Sequence, residues 1–303
     1  MLDYKKILKS QDLRFKILNL FSWVPDKTMV KIQYRIKMGR KLNLKNPQRF
    51  TEKLQWYKLY YRKPIMKQCV DKYEVRDYVK AKGLENILNE LYGVYNSPDE
   101  IDFDKLPDKF VIKTTSGSGG QNVILCNDKN KLDIEKTKKD LKYWLKLNPK
   151  KSFGREWAYE GTNNRIIVEK LLEQDGNQLI DYKFFCFDGE VKYLYVISER
   201  DLGKSAKLGI YSSNYDKLNA YRCDERKQLT AIEKPRDFDT MKKYAQILSK
   251  DFAHARIDFY YNKGKIIFGE ITFYDGSGYM KYDPDEFDFE LGKCLKLEKR
   301  YAD

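Results

Sequence analysis

Two acidic residues late in the sequence, Asp258 and Glu270, stand in apolar, aromatic runs that read as one hairpin, 255–261 and 265–273 around Asn262-Lys263-Gly264. Alternate residues of a strand share a face. With a three-residue connecting loop, Arg256, Asp258, Glu270 and Thr272 all point the same way; with a two-residue loop, Glu270 turns to the opposite side. Two carboxylates and an arginine on one face can hold magnesium and a phosphoryl group in transfer. Solvated strand charges are the plain alternative, although burying an acid pair among apolar neighbours is costly without such a purpose.

A second group lies upstream. Phe110-Val111-Ile112 and Val123-Ile124-Leu125 read as strands, and the connection between them contains Ser116, Gly117, Ser118, Gly119 and Gly120. Backbone N–H groups in such a loop can wrap phosphate oxygens, and Lys113 adds a charge at the end of the first strand. The loop lacks the Gly-Lys-Ser/Thr of a Walker motif, and no helix follows it as a dinucleotide fold requires. Taken alone, a long hairpin turn without a ligand explains it equally well. A third group, Glu169-Lys170-Leu171-Leu172, ends a strand and can offer backbone groups to an adenine edge; a plain strand end is the simpler reading.

Composition narrows the chemistry further. The 303 residues contain one histidine, His254, so any nucleophile with a histidine base must use it. A metal site must rest mainly on carboxylates, which favours magnesium or calcium over zinc. Cys69, Cys126, Cys186, Cys223 and Cys294 are widely spaced, form no Cys-x-x-Cys, and read as reduced, mostly buried thiols. The net charge of +14 attracts polyanions: nucleic acid, acidic lipid, acidic polysaccharide or nucleotide phosphate. No run approaches the ~18 apolar residues of a membrane span. The first residues lack the apolar stretch of a signal peptide, so a cytoplasmic protein is expected. Zinc, RRM-like and helix-turn-helix signatures are missing, which makes nucleic acid an unlikely partner.

These groups need elements to position them. Residues 1–62 read as helical and aromatic-rich, with a break at Asn46-Pro47 and a new helix from Thr51. Helices are expected over 71–83, ending at Gly83, over 131–147 with Leu141, Trp144 and Leu145 on one face, and near 238–252. Strands are expected at 165–169, 182–187 and 191–196, the last two joined at Asp188-Gly189. Irregular alternation of helices and hairpins predicts an α+β fold rather than a doubly wound parallel sheet.

Taken in order, the motifs resemble the ATP-grasp superfamily, in which two α+β subdomains clamp ATP. Closer still is the resemblance to its TupA-like branch, linked to teichuronopeptide and other surface-polysaccharide biosynthesis. It rests on Gly39-Arg40-Lys41-Leu42-Asn43-Leu44-Lys45-Asn46-Pro47, Phe50-Thr51-Glu52-Lys53-Leu54-Gln55-Trp56, the run from Asp71-Lys72 to Val79, Lys113-Thr114-Thr115-Ser116-Gly117, and Asp181-Tyr182-Lys183-Phe184-Phe185-Cys186-Phe187. The resemblance runs from about residue 25 to residue 290. It implies an N-terminal helical segment over 1–62 and an ATP-grasp core over 63–303. Within the core it implies a small lid subdomain at 107–168 and a large subdomain at 169–303.

The resemblance also implies site roles. Asp71-Lys72, heading a helix, resembles the first nucleotide-contacting lysine. Lys113 and the Ser/Gly loop resemble the second lysine and the phosphate lid, with Lys183 as a further phosphate contact. Glu169, Lys170, Leu171 and Leu172 match the adenine hinge. Asp258 and Glu270 would hold Mg2+, with Thr272 standing where the superfamily usually has Asn. Arg256 would stabilise an acylphosphate, and Asp275-Gly276-Ser277-Gly278 would meet the acceptor. The implied reaction joins a carboxylate to an amine with ATP, on a uronic acid of a capsule, O-antigen or wall polymer. The N-terminal basic, aromatic segment can dock at the inner membrane face or simply cap the core. An ATP-grasp kinase shares the same nucleotide site. A glycosyltransferase has nominal support in Asp283-Pro284-Asp285 and Asp102-Phe103-Asp104.

Overall fold

The computed structural model describes residues 20–116, 122–146, 152, 154–172, 179–201 and 205–297. Of the glycine-rich loop, Ser116 is described; Gly117, Ser118, Gly119 and Gly120 lie outside the described residues. Among the described residues, the first helices are α1 (Asp26–Met38), α2 (Phe50–Tyr60), α3 (Ile65–Val70) and α4 (Val75–Ala81). Next come β1 (Leu91–Tyr95), β2 (Phe110–Thr114), β3 (Val123–Cys126), α5 (Ile134–Lys146) and β4 (Ile166–Lys170). The second half holds β5 (Asp181–Phe187), β6 (Glu190–Asp201), β7 (Ser205–Ser212), β8 (Tyr221–Arg222), β9 (Arg226–Lys227), α6 (Phe238–Ser249), β10 (His254–Asn262), β11 (Lys265–Thr272), β12 (Tyr282–Asp283) and α7 (Glu286–Cys294). The fold class is α+β, as the alternation of helices and hairpins predicted.

A small sheet runs β1-β4-β2-β3, with every pairing antiparallel. Phe110, Ile112, Ile166 and Val168 form its apolar face, which α5 covers with Leu141, Trp144 and Leu145. A larger sheet runs β11-β10-β5-β6-β7-β9, antiparallel except for β7 with β9. Its register pairs Ile257 with Phe184 and Phe259 with Tyr182, and α6 packs on that face through Phe238, Met241, Ala245 and Leu248. The opposite face is divided. At one end Phe185, Phe187 and Tyr195 pack under Phe50 and Leu54 of α2 and Phe287 and Leu291 of α7. At the other end the same face carries Asp181, Lys183 and Asp258, with Asp258 paired directly to Lys183.

The last hairpin corrects the expected loop length and keeps its consequence. Asn262 pairs with Lys265, so the connection has two residues, Lys263 and Gly264, at φ 50° and 71°. Those left-handed values suit a primed two-residue turn, whose strand twist matches the sheet. Counting from that turn alone would send Glu270 to the far face. A bulge intervenes: Phe259 pairs with Phe268, then Asp258 pairs with Glu270 and Arg256 with Thr272. Gly269 is the extra residue, and a Cβ there would lie 3.0 Å from the Asp258 carbonyl oxygen.

Other expectations also shift. The helix expected over 71–83 is α4, and Asp71 and Lys72 precede it in a turn rather than heading it. There the Asp71 carboxylate accepts N–H bonds from Tyr73 (2.8 Å) and Glu74 (2.9 Å). The sequence reading missed α3, β1, β7 and α7, and the two-residue strands β8, β9 and β12.

The N-terminal signature is a clasp. Arg40 and Arg49 both reach Asp285 and Asp288 at the start of α7. Asp288 also accepts the Thr51 N–H (2.9 Å) and hydroxyl (2.7 Å). Glu52 accepts the backbone N–H groups of Asn43, Gln48 and Arg49, which shapes the turn into α2. The inner face of α1 caps this unit with Val30, Tyr34 and Met38. Among the described residues, no helix is long and apolar enough to cross a membrane.

Candidate functional site

The charged half of the large sheet is organised around Arg256. Its Nε and Nη2 donate to the two oxygens of Asp258, at 2.8 and 2.7 Å, in the fork geometry that suits a carboxylate. Nη2 also donates to Glu270 Oε1 and Thr272 Oγ1, each at 3.1 Å, while Nη1 donates to Asp275. Lys183 Nζ binds Asp258 and lies 2.9 Å from Asp181, whose other neighbour is Arg200 at 2.7 Å. Asp258, Arg256, Lys183, Asp181 and Asp275 are buried, whereas the Glu270 side chain is 40% exposed. Burial alone would raise the Asp258 carboxyl; the charges of Arg256 and Lys183 outweigh it and hold Asp258 below the usual carboxylate range. Asp181 goes the other way, pushed up by burial against the pull of Lys183.

These oxygens suit a hard cation by type. In the present arrangement both Asp258 oxygens are taken by Arg256 and Lys183, and no group of three or more acids is poised around one point among the described residues. Three features could meet a ligand: the half-exposed Glu270 carboxylate, and Asp181 Oδ1 and Asp275 Oδ2, buried oxygens without a hydrogen-bond partner.

β11 runs into Asp275–Gly278, where Gly276, Ser277 and Gly278 hold φ of 48°, 55° and 68°. A Cβ on Gly278 would lie 2.4 Å from the Gln55 amide nitrogen, so α2 presses directly on this loop. Gln55 donates to the carbonyls of Ser277 (3.1 Å) and Gly278 (2.9 Å). Lys58, one helical turn on, is fully buried and was not found by sequence reasoning. Its ammonium donates to Ser277 O (2.7 Å), Ser277 Oγ (3.0 Å), Gly154 O (2.8 Å) and Gln55 Oε1 (3.1 Å). Burial pushes it down to about 7, against the charge of Glu156. On the far side of the loop, Arg222 lies 3.6 Å from Asp275 and is held by Asp224. Arg222 also escaped the sequence reading.

The upstream residues gather at the small sheet. Glu169 is buried between Lys113 (2.6 Å) and Arg76 (3.1 Å). The Lys72 N–H donates to Thr115 O at 3.1 Å, which fixes its turn against the end of β2. Burial lowers the Lys72 ammonium, Lys113 lowers it further, and Glu270 opposes both, so Lys72 lies within electrostatic reach of both sheets. The Ser116 N–H meets Asn164 Oδ1 at 3.3 Å. Lys170 lies outward, paired with Glu90 at 3.1 Å, and Leu171 and Leu172 continue half-buried beyond the strand. The structure thus joins Arg256, Lys183, Asp258, Glu270, Thr272 and Asp275 in one network, and Lys113 with Glu169 in a second.

The remaining polar candidates are used structurally. His254 is buried, its ring 4.8 Å from Phe187 and 5.2 Å from Phe50, with Nδ1 2.9 Å from Cys186 O. Burial pushes it down to about 4, so it is a neutral core residue. In the Asp-x-Asp patterns, Asp285 belongs to the arginine clasp, Asp283 pairs with Lys227, and Asp102 pairs with Lys105.

The family described as TupA-like ATPgrasp matches residues 52–296. Solved structures with similar folds include D-alanine–D-alanine ligase from Bacillus anthracis, at 17% identity over 67% of this chain and 56% of that one, TM-score 0.40. The Helicobacter pylori D-alanine–D-alanine ligase is similar at 16% identity over 75% and 61%, TM-score 0.41. The ATP-grasp ligase PsnB, with a precursor variant, Mg and ADP, is similar at 14% identity over 81% and 66%, TM-score 0.42. The chain therefore spans between about half and two thirds of those proteins' lengths. No curated protein matches the chain.

Proposed function

The chain belongs to the TupA-like ATP-grasp family, and from that premise we propose that it is an ADP-forming carboxylate–amine ligase using ATP and Mg2+. The observation that supports this most is the Arg256–Asp258–Glu270–Lys183 network, within electrostatic reach of Lys72. A carboxylate oxygen of the substrate attacks the γ-phosphorus, the bond to the β,γ-bridging oxygen breaks, and ADP leaves. An amine nitrogen then attacks the acyl carbon, the C–O bond to phosphate breaks, and an amide remains after loss of a proton.

In this reading Lys72, Lys113 and Lys183 neutralise phosphate oxygens, and Ser116 to Gly120 cover them. Glu169, Lys170, Leu171 and Leu172 border the adenine. Arg256 would neutralise charge on the phosphorylated carboxylate, since phosphoryl transfer is accelerated mainly by positioning and charge neutralisation. Asp258, Glu270 and Thr272 would hold the metal, which would supply positive charge to offset that of the phosphates. Asp258 must share its oxygens with Arg256 to do so. Asp275, Gly276, Ser277 and Gly278 form the acceptor wall, backed by Gln55 and Lys58. The small subdomain at 107–168 would close on the large one at 169–303, with 1–62 as a helical brace. The substrate class that fits a family member with a net charge of +14 is a uronic acid in a surface polysaccharide or its lipid- or nucleotide-linked precursor, joined to an amino acid or small amine.

ADP release measured over a panel of uronic acids and amines tests the reading. It requires ADP only when both substrates are present, and loss of that signal in Glu270→Ala. Stable phosphorylated product without an amine would instead make the protein a kinase. Full activity in Glu270→Ala would remove the metal assignment.

A further inference from the structure

The exposed apolar side chains of this protein are not evenly spread. Nine large ones stand out among the described residues, and five fall between residues 20 and 36: Leu20, Phe21, Trp23, Ile32 and Ile36. Trp23 is 77% exposed, Ile36 52% and Ile32 46%. Scattered single residues of this kind are ordinary; a cluster in one short segment is not. The inner face of α1 already packs on the core through Val30, Tyr34 and Met38, so the outer residues are not spare core.

Charge in the same segment is equally one-sided. Residues 20–45 contain seven Lys and Arg and one acid, Asp26. Asp26 is turned inward to Arg155 at 3.1 Å, with Arg62 at 3.6 Å. On the outer face of α1 the exposed Lys27, Lys31 and Arg35 follow one another at i, i+4 and i+8. The exposed Thr28, Ile32 and Ile36 form the adjacent row. Arg155 also donates to Phe21 O at 2.8 Å and Ser22 O at 3.4 Å, so the backbone carrying Trp23 is tied down.

We propose that this outer face of α1, with Trp23 at its entrance, docks on an anionic lipid surface. A row of cations beside a row of isoleucines is how a helix lies in the plane of an interface, and tryptophan favours the headgroup level. Charge complementarity selects this occupant. A second copy of the same face would bring like charges together, whereas anionic headgroups neutralise them and accept the isoleucines. The helix lies on the surface rather than crossing it. Docking there would hold the enzyme beside lipid-linked acidic substrates. The inference does not depend on which carboxylate or amine is joined.

Sedimentation of the full-length protein with vesicles tests it. Phosphatidylglycerol-containing vesicles should bind the protein, pure phosphatidylcholine vesicles should not, and binding should fade with added salt. Lys31→Glu/Arg35→Glu should weaken partitioning by at least about twenty-five-fold, since each surface cation contributes about a factor of five. Ile32→Asp/Ile36→Asp should also weaken it. Both pairs are exposed, so the thermal unfolding midpoint and ATP turnover on soluble substrates should stay at wild-type values. Three results would overturn the proposal: no binding to anionic vesicles, binding unchanged in both double variants, or a dimer in sedimentation velocity that Ile32→Asp/Ile36→Asp dissolves.

Discussion

Asp258→Ala and Glu270→Ala should separate stability from catalysis, although the two residues face each other across one hairpin. Asp258 is buried, with both oxygens bound by Arg256 and Lys183. Removing one member of a buried ion pair costs about 3–5 kcal/mol, because the other charge stays in a dry site. Here each cation keeps company: Arg256 retains Asp275 and Glu270, and Lys183 retains Asp181. The lower end, about 3 kcal/mol, is therefore expected. At about 2–4 °C per kcal/mol for large domains, the unfolding midpoint should fall by about 6–12 °C. Glu270 is 40% exposed and pairs with Arg256 at 3.1 Å. Pairs of that exposure contribute about 0–1 kcal/mol, so its loss should move the midpoint by less than about 4 °C. Its contribution to turnover should be large, about a hundredfold or more, as for other preorganised electrostatic contacts to a phosphoryl in flight. Thermal unfolding without nucleotide or metal measures the first effect and ADP release measures the second. If Glu270→Ala loses as much thermal stability as Asp258→Ala, or keeps full ADP release, the division of roles drawn from burial is wrong.

Three further outcomes follow from buried groups. Lys58→Met should lower stability, since the buried acceptors Gly154 O and Gln55 Oε1 lose the ammonium donor, at about 1–3 kcal/mol for each unpaired acceptor. Lys58 is pushed down from its ordinary value near 10.5 to about 7, so between those pH values the unfolded chain binds more protons and wild-type stability climbs with pH. Thermal melts across pH 7 to 10 should show that climb flattened in Lys58→Met; an unchanged slope would mean the ammonium is not buried. His254, pushed down from 6.5 to about 4, acts in a lower window: its neutral burial is favourable above pH 6.5 and about 3 kcal/mol is lost as pH falls towards 4. His254→Phe should remove that acid slope, and a variant as acid-sensitive as wild type would contradict it. Gly269→Val should strain the bulge, because its first side-chain carbon meets the Asp258 carbonyl at 3.0 Å. A cost of about 1–3 kcal/mol and weakened ADP release are expected, and wild-type values for both would show that the bulge does not set the Asp258–Glu270 facing.

What the sequence revealed about this site depended on local periodicity. Asp258 and Glu270 were recognisable as a possible pair because strand alternation is a property of neighbouring residues. Whether they faced each other was not, because parity depends on the turn and on any bulge. The observed two-residue turn and the bulge at Gly269 each reverse the parity, and together they restore it. The signal was present as a glycine inside an otherwise apolar strand, a pattern that marks bulges. Lys58 was hidden for a different reason. Helical periodicity assumes one buried stripe, yet α2 is buried at every position from Phe50 to Lys58 except Lys53. Its lysine therefore looked like any solvated helix charge. The clasp of Arg40 and Arg49 on Asp285 and Asp288 spans more than 230 positions. The signature containing those arginines was legible as a recurring string, but what the string does is fixed by partners at the other end of the chain. In the structure α2 links the two ends: its first turn carries Thr51 and Glu52 of the clasp, and its later turns carry Gln55 and Lys58 on the acceptor loop. A change in the clasp should therefore be felt at the Asp275–Gly278 loop before it is felt at the Asp258–Glu270 pair, which is anchored by its own strands.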